Sequence, residues 1–277
     1  MFAQQRHDRI LDEVMTHGAV RVSDLVEQLG VSDMTIRRDI AHLARKGLIA
    51  RVHGGATAVS GRSAEEPAFA VKAGLQPSEK AGIAAAAARL VRAGDSVALS
   101  AGTTTYAVAL ALRTVPNLTI VTNSLPVGDA MNAMPRADRT VILTGGIRTP
   151  SDALVGPVAV ATLRSLHVDW LFLGVHGFDE RSGFTTPNLV ESETNRALIG
   201  CARQVVVVAD SSKWGVVGLS SMARINEVDV LVTDDHLDPD AERGLKSRVR
   251  QLVLAPHGAD DPEAGGRGPG RRDGEAS

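Results

Sequence analysis

The stretch VSDMTIRRDI, residues 31–40, places a serine just before a short amphipathic helix that carries two adjacent arginines. At 100° per residue, Ile36, Ile40 and Leu43 share one face of this helix, and that face has to pack against other helices. The opposite face and its flank carry Met34, Arg38, Ala41, Arg45 and Arg37. Guanidinium groups on an exposed helix face suit the major groove of DNA, where an arginine can bridge O6 and N7 of guanine.

Two further helices are predicted before this stretch, and a β-prone segment follows it. Apolar residues have helical spacing within residues 4–17. Ser23 is expected to cap a second helix that ends at Leu29, Gly30 turns the chain, and Ser32 caps the third helix. The segment GLIARVHGGA then supplies a short β-prone run and a Gly-Gly turn, as a β wing requires. This order predicts a winged helix-turn-helix domain.

The paired arginines allow one side chain to address a base edge while the other holds the DNA backbone. Hydroxyl groups near the helix N-terminus are expected to contact phosphates, and the wing to reach an adjacent groove or phosphate. The predicted DNA-binding residues are Ser32, Met34, Thr35, Arg37, Arg38, Arg45, Arg51 and His53. The alternative is a solvated helix face on which Asp33 and Asp39 are local ion-pair partners of the arginines.

The rest of the chain changes pattern. Apolar β-prone runs alternate with helical segments, as in SVALS, LTIVTN, TVILTGG, DWLFLGV, QVVVVAD, VDVLVTD and QLVLA. Such alternation predicts an α/β domain with an open, mostly parallel sheet, and VVVVA suits a strand that is covered on both faces. The predicted divisions are a winged helix-turn-helix domain at 1–57, a linker at 58–77, an α/β effector-sensing domain at 78–256 and a disordered tail at 257–277.

Several strand ends of this domain carry residues suited to a phosphate. In SAGTTTYAV, a glycine that permits close backbone approach is followed by three threonines at the start of a predicted helix. The ends of parallel strands meet at one sheet edge, where a small ligand usually binds. The effector-binding residues predicted on this basis are Gly102, Thr103, Thr104, Thr105, Thr122, Asn123, Gly145, Gly146 and Lys213. Each segment alone has a structural alternative, since TTT can begin a helix and TN and GG are common in turns.

Composition excludes several classes of protein. The net charge of -2 argues against a polyanion binder over the whole surface, but it permits a basic surface on one small domain. One cysteine, Cys201, excludes an internal disulfide framework, and the charged N-terminus is unlike a signal peptide, so we expect a cytoplasmic protein. The most apolar segment, AGIAAAAARLV, is too short for a bilayer, so no membrane association is expected. No HExxH, CxxC, GxGxxG or P-loop motif occurs, so no metal and no cofactor are expected.

The segment VSDMTIRRDIAHLARKGLIARVHGGA resembles the DNA-binding signature of the DeoR family of bacterial transcription regulators. The downstream GTT, TN, GG and Asp-Ser-Ser-Lys motifs resemble that family's effector domain, which has a ribose-5-phosphate isomerase-like fold. The likeness extends over about residues 4–255. It implies a DNA-binding regulator, a repressor of sugar or related metabolic genes, that is controlled by a phosphorylated metabolite. It also implies operator DNA as a partner. At least a homodimer is expected, because one small reading domain contacts too few base pairs for genomic specificity.

Three positions depart from the family pattern and leave the effector unnamed. The resemblance adds Ser100 and His176 to the predicted effector-binding residues, at positions where the family often has aspartate, and Asn195 stands where a lysine is frequent. The rival hypothesis is a sugar-phosphate isomerase or deaminase with an accessory DNA-binding domain. Such chemistry needs a general base, for which Asp179 and Glu193 are the first candidates. Activation rather than repression stays an alternative, and no catalytic residue is assigned.

Overall fold

The computed structural model describes residues 2–17, 19–46, 48–52, 54–58 and 69–256. The predicted contact at His53 and the predicted tail therefore lie outside the described residues, as do residues 59–68 of the predicted linker. Within the described part, no helix is long and apolar enough to cross a membrane.

Three helices and a small antiparallel sheet form the N-terminal part of the protein. The elements are α1 (Ala3–His17), β1 (Ala19–Arg21), α2 (Val22–Leu29), α3 (Asp33–Arg45), β2 (Ile49–Val52) and β3 (Gly55–Ala58). The strand order is β1-β3-β2, with β2 and β3 paired as an antiparallel wing. The apolar faces of the three helices meet in one core, formed chiefly by Ile10, Leu11, Val14, Leu25, Ile36, Ile40 and Leu43.

Local sequence signals explain the boundaries of α2 and α3. Gly30 adopts the left-handed conformation, with φ of 64°, and closes α2. Ser32 caps α3 as predicted, because its hydroxyl accepts a hydrogen bond from the Thr35 amide at 3.3 Å. The predicted cap at Ser23 was wrong. The helix begins one residue earlier, at Val22, and the Ser23 hydroxyl donates to Asp24 instead.

The C-terminal part is built on a seven-stranded sheet. Its helices are α4 (Phe69–Ala73), α5 (Pro77–Ala88), α6 (Thr103–Ala111), α7 (Leu125–Asn132), α8 (Pro157–Arg164), α9 (Leu189–Cys201) and α10 (Pro239–Lys246). Its strands are β4 (Ser96–Leu99), β5 (Thr119–Thr122), β6 (Thr140–Leu143), β7 (Ile147–Arg148), β8 (Leu154–Val155), β9 (Val168–Gly174), β10 (Gly177–Asp179), β11 (Gly183–Thr186), β12 (Ala202–Val208), β13 (Ser220–Ala223), β14 (Val230–Asp234) and β15 (Gln251–Ala255).

All seven predicted β-prone runs form this sheet, in the order β15-β14-β12-β9-β4-β5-β6, and all its pairs are parallel. Helices α5, α6 and α7 cover one face and α8, α9 and α10 cover the other. In β12, Val205 and Val207 pack on one side while Val206 and Val208 pack on the other. The unbroken valine run therefore fits a strand that is buried on both faces.

Five short strands in the described C-terminal part were not predicted. Strands β7 and β8 pair with each other, while β10, β11 and β13 form a separate antiparallel sheet beside the main one. Gly146 begins the β7–β8 hairpin region with φ of 122°, and a Cβ atom there would lie 2.5 Å from the Val155 carbonyl oxygen. Strands of two to four residues carry too few alternating side chains to give a periodic signal.

Candidate functional site

The outer face of α3 is exposed, as the helical spacing predicted. Met34 is 67% exposed, and Arg38 and Arg45 are also exposed, whereas Ile36, Ile40 and Leu43 are buried in the core. The wing residue Arg51 is exposed as well. An arginine-bearing helix face beside a β wing has the form that a DNA-reading winged helix requires.

Three of the predicted DNA contacts have partners in α3 or at its N-cap. The Arg37 guanidinium pairs with Asp33 one turn earlier, and its Nη2 lies 3.2 Å from Asp33 Oδ2. The Ser32 and Thr35 hydroxyls lie 2.9 Å apart at the helix N-terminus. For Arg37 the structure thus contains the ion pair that the solvated-face alternative expected. The pair is exposed and costs little to break when a phosphate approaches.

Asp39 does not pair with the exposed arginines. Its carboxylate is buried and accepts hydrogen bonds from Arg6 Nε at 2.5 Å and from His7 Nε2 at 3.0 Å, both on α1. The His7 ring also stacks on His42 of α3, with ring centroids 4.9 Å apart. Burial raises the pKa of Asp39, but the hydrogen bonds from Arg6 and His7 outweigh burial, so the pKa is lowered. Asp39 thus fixes α1 against α3.

A cavity of about 400 Å³ lies at the carboxyl edge of the main sheet. It opens where β4 and β9 lie side by side. On one side of this point the sheet continues with β5 and β6, and on the other side it continues with β12 and β14. Such a reversal of strand order leaves a crevice, because the connections on either side lead away from it. The loops after β4, β9 and β12 line the cavity.

The loop after β4, which was predicted to be an anion cradle, lines the cavity. Gly102 has φ of 152°, a conformation that favours glycine, and Thr103 begins α6. The Thr105 hydroxyl donates to the Gly102 carbonyl at 2.9 Å and holds the turn in place. Gly102, Thr103 and Thr104 line the cavity. The first amides of a helix have no intrahelical acceptor and carry partial positive charge, so this edge of the cavity favours an anion.

Two lysines complete a positive wall. Lys213 follows β12 in a short 3-10 helix and lines the cavity, as predicted. Lys80 of α5 also lines it, although it is only 7% exposed. The Lys80 ammonium donates to the Lys72 carbonyl at 2.7 Å and to the Leu75 carbonyl. Burial lowers the pKa of Lys80 to about 8; Asp210 opposes this shift, and Lys213 and Lys72 add to it.

Six predicted effector contacts do not lie on the cavity wall, and these assignments stay predictions. Most of them form hydrogen bonds within the protein. Ser100 accepts from the Gly174 amide at 2.9 Å and links the ends of β4 and β9. The Thr122 hydroxyl donates to the Leu99 carbonyl at 2.7 Å. The six residues are Ser100, Thr105, Thr122, Asn123, Gly145 and Gly146.

Asn123 supports the anion cradle from behind. Its side-chain oxygen accepts from the Ala101 amide at 3.0 Å, and its side-chain nitrogen donates to the Leu154 carbonyl at 3.2 Å. The amide therefore positions the loop that precedes α6. The position of Asn123 after a predicted strand identified the correct edge of the sheet. It did not show whether the Asn123 side chain contacts a ligand.

Several residues on the wall were not predicted as contacts. They include Asp8, Leu11 and Asp12 of α1, Lys72, Glu79, Lys80, Glu191, Asn195 and Asp210. Glu191 accepts hydrogen bonds from Ser151 at 2.5 Å and Thr149 at 2.8 Å. Lys80 had a signal that could have been noticed, since it is a charged residue directly before the all-apolar remainder of its helix. The α1 residues had none, because only tertiary packing brings α1 to this cavity.

Family models match both parts of the chain. A DeoR-like helix-turn-helix domain matches residues 6–62, and a DeoR C terminal sensor domain matches residues 75–235. This chain belongs to the DeoR family of transcriptional regulators. The helix-turn-helix match covers α1 to β3, and the sensor match covers the strands whose loops line the cavity.

Relatives in the DeoR family match over nearly their full length. The uncharacterized HTH-type transcriptional regulator YgbI of Escherichia coli (strain K12) is 36% identical over 92% of this chain and 99% of its own. The glycerol-3-phosphate regulon repressor of the same strain is 37% identical over 83% of this chain and 90% of its own. A ribose 5-phosphate isomerase A from Methanocaldococcus jannaschii aligns with a TM-score of 0.36 at 16% identity, covering 49% of this chain and 53% of its own.

The departures from the DeoR pattern fall in different places. His176 and Asn195 line the cavity, whereas Ser100 lies behind it. The Asn195 side-chain nitrogen lies 3.0 Å from the Met222 sulfur. Asp179 and Glu193, the two candidate bases of the rival enzyme hypothesis, lie outside the cavity wall, and Glu193 is exposed.

Proposed function

We propose that this DeoR-family protein represses genes of sugar or related metabolism and that a small phosphorylated metabolite in the sheet-edge cavity controls its affinity for operator DNA. The observation that carries the proposal is the meeting of a helix N-terminus with Lys80 and Lys213 in one cavity, in a chain that also carries an exposed reading helix. Helix amides and ammonium groups together favour a phosphate. The name of the glycerol-3-phosphate regulon repressor supports this class of effector.

The cavity also offers groups for the hydroxyls of a polyol. Asn195, His176 and Asp210 line it beside the positive wall. A phosphate would therefore be held at the α6 edge while the remainder of the metabolite lies toward these side chains. We propose binding without turnover, since the first two nominated bases, Asp179 and Glu193, lie away from this space, and Glu191 on its wall accepts hydrogen bonds from Ser151 and Thr149.

DNA reading in this proposal uses the exposed face of α3 together with Arg51 in the wing. One small reading domain contacts too few base pairs for genomic specificity, so we expect at least a homodimer on a two-fold or repeated operator in the cytoplasm. The residue boundaries 1–57 and 78–256 for the reading and sensing domains are part of this proposal. The two domains must then be coupled, because a ligand that binds both DNA-competent and DNA-incompetent forms equally shifts nothing.

The test is fluorescence anisotropy of the purified protein on DNA from the region upstream of its own gene, at fixed salt, with and without a panel of sugar phosphates. Salt has to be fixed because phosphate contacts make the affinity depend steeply on ionic strength. We expect specific binding that one phosphorylated compound weakens. Specific binding that no compound alters would reject the effector assignment, and loss of specific binding altogether would reject the DNA-reading assignment.

A further inference from the structure

The DNA-reading part of the protein forms part of the effector cavity. Asp8, Leu11 and Asp12 of α1 line the same cavity as Lys80 and Lys213. Burial raises the pKa of Asp12, and the carboxylates of Asp8 and Glu79 raise it further. The second carboxylate belongs to α5 of the sensing part, so the acidic face of α1 lies close to α5.

We propose that the Asp8 and Asp12 face of α1 closes the effector cavity and that an anionic effector displaces it. This inference rests on the proposed function, because it assumes that the effector carries a phosphate. The cavity holds three lysines, Lys72, Lys80 and Lys213, together with the carboxylates of Glu79, Glu191 and Asp210, so α1 places its two carboxylates among charges of both signs. A phosphate in the cavity satisfies the same lysines and repels the two α1 carboxylates.

The contacts of Lys80 give the anion a second effect on the same interface. Its ammonium holds the carbonyls of Lys72 and Leu75, and the Leu75 side chain packs on the core of the reading domain. A phosphate that draws the Lys80 ammonium toward it competes with these carbonyls. The segment that supports the reading domain is then held less firmly.

Displacement of α1 reaches the DNA-reading helix through buried contacts. Arg6 and His7 lie on α1 beside Asp8, and both hold Asp39 of α3. The reading helix therefore follows α1 as a unit rather than as a separately tethered element. The orientation of α3 relative to the sensing domain, and with it the fit of two reading helices to an operator, depends on whether α1 is seated on the cavity.

The experiment compares the wild-type chain with the Asp8→Asn/Asp12→Asn variant, using inorganic phosphate and glycerol 3-phosphate as probes. Both substitutions keep the side-chain size and remove the carboxylate charge. We expect the variant to bind each anion about three- to tenfold more tightly, because two repulsive charges leave the cavity. Coupling between anion binding and operator binding is reciprocal. The anion should therefore change operator affinity less in the variant, in which it no longer repels the α1 carboxylates.

The matched control is Asp240→Asn/Glu242→Gln, which makes the same change in net charge on α10, away from the cavity. Its anion affinity should equal that of the wild type. An equal gain in both variants, or none in Asp8→Asn/Asp12→Asn, would overturn the inference and leave the effector site standing. Absence of anion binding to the wild type would overturn both.

A measurement on the unmodified chain removes any dependence on the folding of the variants. Amide hydrogen exchange along α1, followed with and without inorganic phosphate, should become faster when the anion is present, because seating on the cavity protects the helix. Exchange that stays the same or becomes slower along α1 would overturn the inference. Exchange in the loop that begins α6 should become slower in the same samples, which would show that the anion occupies the cavity.

Discussion

The charged side chains of α3 and those of the sheet-edge cavity differ in how far they are exposed to solvent. On α3 the arginines stand on an exposed surface and the one buried charge, Asp39, is held by two partners from α1. In the cavity, Lys80 is buried and its ammonium donates to the backbone carbonyls of Lys72 and Leu75, which are weaker acceptors than a phosphate. Arginines that bind DNA can be solvated while no DNA is bound. The attraction between an ammonium group and a small anion, in contrast, is stronger when the ammonium group is buried.

The largest effects should separate the two regions. Arg38→Ala should weaken operator binding by about 1–3 kcal/mol, because it removes a base or phosphate contact, and should leave anion binding unchanged. Lys213→Met should do the reverse and reduce anion affinity about tenfold or more, since it removes a charge-assisted contact. Fluorescence anisotropy on operator DNA and calorimetric titration with glycerol 3-phosphate measure the two affinities.

Arg243→Ala serves as the control for both, because Arg243 is an exposed arginine on α10 that lies away from α3 and the cavity. It should change neither affinity. If Arg38→Ala and Arg37→Ala both bound operator normally, α3 would not be the reading helix. If Lys213→Met bound the anion normally, the positive wall would be assigned incorrectly.

The same contrast explains what could be read from the sequence. On α3 the functional side chains lie on one helix, so a 3.6-residue period separates Arg38 from Ile40 without any tertiary information. The sheet was also predictable, since each of its seven strands is a local apolar run. Gly102, Thr104 and Lys213 were found because each follows such a strand.

The rest of the cavity depends on tertiary contacts. Thr122 and Asn123 follow a strand just as Thr104 does, yet they lie behind the wall and support neighbouring loops. Asp12 lies about two hundred residues from Lys213 in the chain, and only the packing of α1 over the sheet edge brings them to one cavity. Spacing in the sequence does not predict that residues so far apart line the same cavity.

A smaller effect should show how the buried charge on α3 is used. Asp39→Asn should lower the free energy of unfolding of the N-terminal part by about 1.5–3 kcal/mol, because it weakens hydrogen bonds that a charged group accepts from Arg6 and His7. Denaturant unfolding, with hydrogen exchange along α3, measures the change. Asp24→Asn in α2 is the control, and it should change stability by less than about 0.5 kcal/mol because Asp24 is exposed.

The direction of the pH effect at Asp39 follows from its lowered pKa. The folded state holds the carboxylate ionised more strongly than the unfolded state does, so this contribution is present above the ordinary pKa of 3.8 and is lost as the pH falls through the folded value. The difference in stability between wild type and Asp39→Asn should therefore shrink in acid. A difference that stays constant below pH 3.8 would mean that Asp39 acts through packing and not through its charge.

The smallest effect concerns the buried charge in the cavity. With its pKa lowered to about 8, Lys80 loses its proton as the pH rises above that value, so anion affinity should fall by up to about tenfold per pH unit. The charged groups that act on Lys80 are Asp210, Lys213, Lys72 and Glu79. A phosphate monoester is already doubly ionised above about pH 7.5, so the ligand's own charge stays constant over this range. Calorimetric titration with glycerol 3-phosphate between pH 7.5 and 9.5 measures the fall.

Lys80→Met distinguishes this lysine from its neighbours. The variant should bind the anion weakly and without the step near pH 8, and a step that persisted would assign the titration to another group.

The stability of the wild type, unlike its anion affinity, should increase as the pH rises. Between pH 8 and 10.5 the unfolded chain keeps the Lys80 proton that the folded chain has lost, so the wild type should become more stable relative to Lys80→Met as the pH rises. Anion binding thus favours the protonated form of Lys80, whereas folding favours the neutral form. This is expected for a buried ammonium group that binds a ligand and does not stabilise the fold.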